Sequence, residues 1–250
     1  MNYKEYGINN KKVIMLLHGG GLSWWNYRDV ASLLSVDYHV IIPILDGHSG
    51  SDKPFTGIAS NANDLISLIE EKFGGKILLI GGLSLGGQIL IEMLTQRKDI
   101  CSYALIESAS VIASKITNAL IGPAISSSYW LIKRRGFAKM QFKSLHLKKE
   151  LFEDYYHDTS IISKKNMIAF LKASTSYVLN ESFSDVDIKM HYCYGGKENK
   201  IIQRSSKVIC AKNTNCSLHV LNGLYHGEFS INNPKCYVDA IRNIILDRKW

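Results

Sequence analysis

The feature that most constrains the fold is a junction. An apolar run, Lys76-Ile77-Leu78-Leu79-Ile80, leads into Gly82-Leu83-Ser84-Leu85-Gly86, and a helical pattern, Gln88-Ile89-Leu90-Ile91-Glu92-Met93-Leu94, leaves it. A strand that turns into a helix over so few residues strains the backbone at its apex. Glycines must flank that apex, because Cβ atoms there would strike the neighbouring strand and helix. The serine hydroxyl then stands clear of the sheet, with the free N–H groups of a helix N-terminus behind it. That geometry suits a nucleophile. The five-residue string alone is weak, so its surroundings must carry the argument.

Those surroundings have a rhythm. Residues 13–17, 39–44, 77–80 and 103–106 are short apolar runs that read as buried parallel strands. Helical patterns lie between them, over 25–34 and over 61–73, the latter with Leu65, Ile66, Leu68 and Ile69 apolar and Gly74-Gly75 as a stop. Strand alternating with helix implies a mainly parallel α/β sheet with right-handed crossovers. A strand over 188–194, a helix near 203–210, a strand over 217–221 and a last helix starting near Pro234 complete the series.

From about 111 to 185 the strand candidates vanish. Helical segments rich in Lys, Tyr, Phe and Ser follow one another, and residues 111–187 hold eleven Lys and Arg against seven Asp and Glu. The sheet pattern resumes afterwards. Residues 111–185 are therefore expected to form an inserted helical cap on a core made of residues 1–110 and 186–250.

A chain of 250 residues, 46% hydrophobic and 21% charged, can bury a sizeable core. No apolar run reaches the roughly 18 residues that span a bilayer. Met1-Asn2-Tyr3-Lys4-Glu5-Tyr6 lacks the layout of a signal peptide, so the expected location is cytoplasmic. Five scattered cysteines (Cys101, Cys193, Cys210, Cys216, Cys236), with no C-x-x-C, read as buried reduced thiols and not as a metal site. The formal net charge is +8, but the lysines do not alternate with aromatics as in a nucleic-acid binder. A solvated basic surface remains, one that favours anionic substrates or membrane surfaces at most.

A serine nucleophile needs a base, and the base needs an orienting acid. Among eight histidines, His226 follows the last strand pattern by a short glycine-containing loop, Gly223-Leu224-Tyr225-His226-Gly227. In a parallel sheet the loops after the strand carboxyl ends converge on one edge, which makes His226 the expected base. His18 and His48 read as structural. Glu198 in Gly195-Gly196-Lys197-Glu198-Asn199 is the expected acid, and Glu107 at the end of the preceding strand pattern is its competitor. The oxyanion of a tetrahedral intermediate needs N–H donors. Leu85, after the nucleophile, supplies one, and Gly20 of His18-Gly19-Gly20-Gly21 supplies the second. A phosphate-cradling loop is excluded, because Leu22-Ser23-Trp24-Trp25 follows the glycines where Gly-Lys-Ser/Thr would be needed.

Taken in order, His18-Gly19-Gly20-Gly21, Asp46-Gly47-His48-Ser49-Gly50-Ser51, Gly82-Leu83-Ser84-Leu85-Gly86 and Tyr225-His226-Gly227 resemble the α/β-hydrolase family over nearly the whole chain. The resemblance implies a mainly parallel sheet with helices on both faces and a helical cap inserted after the strand near Ile106. It also implies Ser84 as nucleophile, His226 as base, and the Gly20 and Leu85 amides as the oxyanion hole. Where that family usually carries aspartate, this chain has Glu198.

The function expected is hydrolysis of a carboxylic ester or related acyl bond, carboxylesterase- or lipase-like, with no metal and no cofactor. Thioester or C–C hydrolysis, aminopeptidase action, acyl transfer, lyase chemistry and a ligand-sensing non-enzyme use the same scaffold. The partner implied is a small-molecule acyl substrate. Gly21, Trp24 and Tyr225 are expected to touch it, with Leu22, Trp25, Tyr129, Trp130 and Phe137 as further candidates for an apolar pocket.

Overall fold

The computed structural model describes residues 1–249. Seven strands form one sheet: β1 (Tyr3–Tyr6), β2 (Val13–Leu17), β3 (His39–Pro43), β4 (Ile77–Leu83), β5 (Cys101–Glu107), β6 (Lys189–Gly195) and β7 (Cys216–Leu221). Their spatial order is β1-β3-β2-β4-β5-β6-β7. All neighbouring pairs are parallel except β1 with β3. The apolar runs become strands because they are covered on both sides, and every residue from Ile14 to Leu17 and from Val40 to Ile42 is fully buried.

Two helical layers do the covering. On one face lie α2 (Ile58–Phe73), α3 (Leu85–Gln96) and α8 (Lys200–Lys212), whose apolar residues join a single core cluster with Met15, Ile41, Ile80 and Ile106. On the other face α1 (Arg28–Leu34), α9 (Glu228–Asn232) and α10 (Pro234–Ile245) pack with Ile14, Leu16, Leu79 and Leu105. Between β5 and β6 come four further helices, α4 (Lys115–Ile132), α5 (Arg135–Ser144), α6 (Phe152–Ile161) and α7 (Lys164–Ser176).

Three details depart from the sequence reading. β1 was not expected, because it is only four residues long and two of them are charged. It is an edge strand in which Lys4 and Glu5 face solvent, and its identity comes from pairing with β3. The helix expected over 25–34 divides into a 3-10 turn, Trp24–Tyr27, followed by α1. The short α9 was also missed, as five residues show too little periodicity to read.

Register positions the site. Leu17 pairs with Gly82 and Leu83 with Glu107, while Glu107 pairs with Cys193 and Gly195 with Leu221. The loops after β2, β4, β5, β6 and β7 therefore open on one edge of the sheet.

Candidate active site

Ser84 sits between β4 and α3 with φ 53° and ψ −112°. Such a backbone costs a non-glycine residue about 1–3 kcal/mol and persists only where the surroundings over-determine it. Here they do. The Ser84 N–H donates to the Glu107 carbonyl at 2.8 Å. A Cβ on Gly82 would lie 2.5 Å from the Gly86 carbonyl oxygen, and one on Gly86 would lie 2.2 Å from that of Leu17. Leu85 opens α3, so its N–H is one of those left without an intrahelical partner.

The glycine loop after β2 is held from both ends. Gly19 N–H donates to Asn26 Oδ1 at 3.1 Å, and Gly21 N–H donates to His48 Nε2 at 3.0 Å. Gly20 lies against the Leu85 side chain, and among the described residues no acceptor is recorded for its N–H. Two neutral imidazoles build this support. His18 Nε2 accepts the Leu45 N–H at 3.1 Å, which places its proton on Nδ1, donated to the Gly19 carbonyl at 3.0 Å. Burial, with the neighbouring His48, pushes the His18 pKa down to about 3. His48 donates from Nδ1 to the Asp46 carbonyl at 3.0 Å, and burial pushes it down to about 4. His18 and His48 thus shape the loop.

His226 Nδ1 donates to Glu198 Oε2 at 2.6 Å. The other carboxylate oxygen, Oε1, accepts from Ser108 Oγ at 2.6 Å and from the Gly195 N–H at 2.8 Å. Three donors on one carboxylate leave it little freedom to rotate. Burial alone would lower the His226 pKa. The bond to Glu198, that residue's charge and the charge of Glu107 outweigh burial and hold the imidazole above its ordinary value. Its side chain is 47% exposed, which limits what burial can do.

Glu107 takes another part. It is fully enclosed, its Oε1 accepts the Ser230 N–H at 3.4 Å, and Oε2 has no hydrogen-bond partner among the described residues. Burial pushes its pKa up to about 7. Of the two carboxylates that the sequence left open, the one bonded to His226 is Glu198.

Ser84, His226, Gly20 and Gly21 line one cavity of about 260 Å³. Its walls are largely apolar: Leu22, Leu83 and Ile231 from the core, with Ile125, Met167 and Phe170 from the inserted helices. Several residues expected at the substrate lie elsewhere. Trp24 sits under the Lys4 ammonium, 5.2 Å from its ring centroid, and Trp25 is buried with Nε1 bonded to Asp158. Tyr225 stacks on His146 with centroids 3.9 Å apart, on the outer side of His226. Tyr129 donates to the Ile162 carbonyl, while Trp130 is exposed. On the side of the inserted helices the cavity wall comes from Ile125 and Ile132 of α4 and Met167, Phe170 and Leu171 of α7, none of which the sequence singled out. Ser108, with φ 57°, was also missed; its only sequence signal is its place directly after β5.

A family model described as "Alpha/beta hydrolase family" matches residues 14–190. The chain belongs to that family. The residues that match reach from β2 into β6 and contain the serine turn. Among curated relatives, this α/β hydrolase is 30% identical over 145 residues to "Lipase 3" of Moraxella sp. (strain TA144), covering 56% of this chain and 46% of that one. It is 32% identical over 95 residues to "Soluble epoxide hydrolase" of Corynebacterium sp. (strain C12), covering 37% of this chain and 33% of that one. The matches thus span less than half the length of these relatives. The fold is similar to that of a thermophilic esterase from Thermogutta terrifontis, with TM-score 0.81 at 16% identity over 98% of this hydrolase and 93% of that chain.

Proposed function

We propose that this chain is a serine hydrolase that cleaves a carboxylic ester or related acyl bond through an acyl-enzyme. The observation that supports this most is the 2.6 Å bond from His226 to Glu198, beside a serine held at φ 53° on the same cavity. The Ser84 oxygen attacks the acyl carbonyl while His226 Nε2 takes its proton. That proton passes to the leaving oxygen as the bond to it breaks. Glu198 keeps the other imidazole proton on Nδ1 and stabilises the imidazolium. The Gly20 and Leu85 N–H groups receive the developing oxyanion. Water then attacks the acyl-enzyme as His226 takes its proton and returns it to Ser84, releasing the acid.

The apolar cavity suits a short or medium acyl chain, with residues 111–185 as a cap over it. The relative named a lipase supports the ester class. The relative named an epoxide hydrolase raises ring opening as a second reading. Serine argues against it: attack on an epoxide carbon would leave an ether that water and a histidine do not cleave, whereas an acyl-enzyme ester is cleaved by that same base.

The test is a panel of p-nitrophenyl esters of graded acyl length, with fluorophosphonate labelling mapped by mass spectrometry. Multiple turnover and a label on Ser84 are expected. Ser84→Ala should lower kcat by roughly 10⁴-fold or more and abolish labelling. Labelling that persists in the variant sinks the nucleophile assignment, and a single turnover without further product favours a ligand sensor.

A further inference from the structure

The helix α4 is unusual for a water-exposed element. It reads Lys-Ile-Thr-Asn-Ala-Leu-Ile-Gly-Pro-Ala-Ile-Ser-Ser-Ser-Tyr-Trp-Leu-Ile, yet only Ile132 of its eighteen residues is buried. Ile116, Leu120 and Trp130 are 78%, 61% and 60% exposed. At about 100° per residue these three fall within about 80° of one another on the helix. Ile125 and Ile132 fall on the opposite side, and both line the cavity that holds Ser84. So α4 has two apolar faces: one forms the wall of the site, and the other is turned outward with nothing on it among the described residues.

Charge narrows what fits that outer face. Residues 115–149 contain eight Lys and Arg and no Asp or Glu. Seven of the eight are exposed, Lys148 being the exception. Arg135 pairs with Glu153 and Lys148 with Asp29. Lys115, Lys133, Arg134, Lys139, Lys143 and Lys149 have no carboxylate in ion-pair range among the described residues. α5 packs beside α4 and adds Met140, 61% exposed, to this cationic surface. A second copy of the chain would bring like charge against like. A nucleic acid would offer no apolar phase to Leu120 and Trp130. An apolar stripe carrying a tryptophan, edged by cations, matches a helix that lies in the interface of an anionic membrane. No helix among the described residues is long and apolar enough to cross one.

We propose that the outer face of α4, with the basic segment from Lys133 to Lys149, docks this protein on anionic lipid surfaces. α4 then separates the lipid from the cavity, with its outer stripe in the headgroup region and Ile125 and Ile132 facing the site. The proposal does not depend on which bond the site cleaves.

Vesicle sedimentation of the full chain carrying Ser84→Ala tests it, since lipid is then not consumed and binding is read apart from turnover. Vesicles of phosphatidylcholine alone are compared with vesicles containing an equal amount of phosphatidylglycerol. Binding to the anionic vesicles should be at least about tenfold tighter, and should weaken as salt is raised. Leu120→Ser with Trp130→Ser, and separately Arg134→Glu with Lys139→Glu, should each weaken it about tenfold or more while leaving the unfolding temperature unchanged. Equal binding to both vesicle types, no binding to either, or binding that survives both double variants would overturn the proposal. So would a dimer in solution that Leu120→Ser with Trp130→Ser dissolves, because the stripe would then be covered by a second copy.

Discussion

Glu198 accepts the Nδ1 proton of His226 at 2.6 Å while its second oxygen is tied to Ser108 and the Gly195 N–H. The carboxylate is clamped by main chain and hydroxyl at the end of β6, and the imidazole hangs from it at the end of β7. The extra methylene of glutamate is absorbed by a turn that folds back on itself, with Glu198 N–H donating to the Gly195 carbonyl at 2.9 Å. The ring is thereby presented to the cavity in one tautomer.

Replacing Glu198 by Gln should keep the Oε1 contacts but offer His226 an N–H where it needs an acceptor. The expected fall in kcat is on the order of 10⁴-fold with little change in fold. The pH profile adds a sign. In the proposed mechanism His226 must be neutral to act as base, so activity should be lost as pH falls through its raised pKa, and the acidic limb of kcat/KM should lie above the ordinary histidine value. Burial remains in the variant while the bond and charge of Glu198 vanish, so the limb moves to lower pH. A limb that stays in place would show that another group sets it.

Glu107→Gln separates the two carboxylates. The folded-state pKa of Glu107 is raised to about 7 from an ordinary 4.5, so the native state binds more protons than the unfolded one between those values. Wild-type stability therefore falls as pH rises across that window, by about 3 kcal/mol from this group, and this group's contribution is flat above it. The variant should lose that decline. Urea midpoints at pH 5 and pH 8 measure it: relative to wild type, Glu107→Gln gains stability at the higher pH.

Two glycine-to-alanine variants should move in opposite directions. At Gly86 the new Cβ meets main-chain atoms of Leu17 and His18 that cannot withdraw, so a loss beyond about 4 kcal/mol, or insoluble protein, is expected. At Gly136, early in α5, the Cβ meets nothing within 4 Å, and a gain of about 0.5–1 kcal/mol is expected. Thermal unfolding of the two proteins checks both.

Asp158 of α6 accepts from Trp25 Nε1 at 2.8 Å and from Ser49 Oγ at 2.7 Å, which ties the inserted helices to the core. Asp158→Ala strands a buried indole N–H, at a cost of about 1–3 kcal/mol. Limited proteolysis should then cut faster within residues 115–176 than in wild type, with the sheet still intact by circular dichroism.

Much of this was legible in the sequence because it rests on local physics. Apolar runs and helical periods report burial residue by residue, and a serine between glycines at a strand-to-helix turn is dictated by sterics within a few residues. His226 could be placed because loops after parallel strands share an edge whatever their detail. The same reasoning favoured Glu198 but left Glu107 in competition. Glu107 ends β5 and Glu198 follows β6 on that same edge, and only three-dimensional placement shows Glu198 folding back to the imidazole and Glu107 sealed against Ser230.

The cavity wall was hidden for the same reason. Trp24, Tyr225 and Trp130 are the eye-catching side chains, but Ile125, Met167 and Phe170 line the cavity that holds Ser84. Which face of an inserted helix turns inward depends on packing between segments far apart in the chain. Sequence alone determined the parallel strands of the sheet, the serine turn and the histidine loop, because each leaves a pattern among neighbours in the chain, whereas β1 is a strand only through its pairing with β3. Tertiary structure decided the carboxylate that orients His226, the walls of the cavity and the bare outer face of α4, because each depends on how separate segments of the chain pack together.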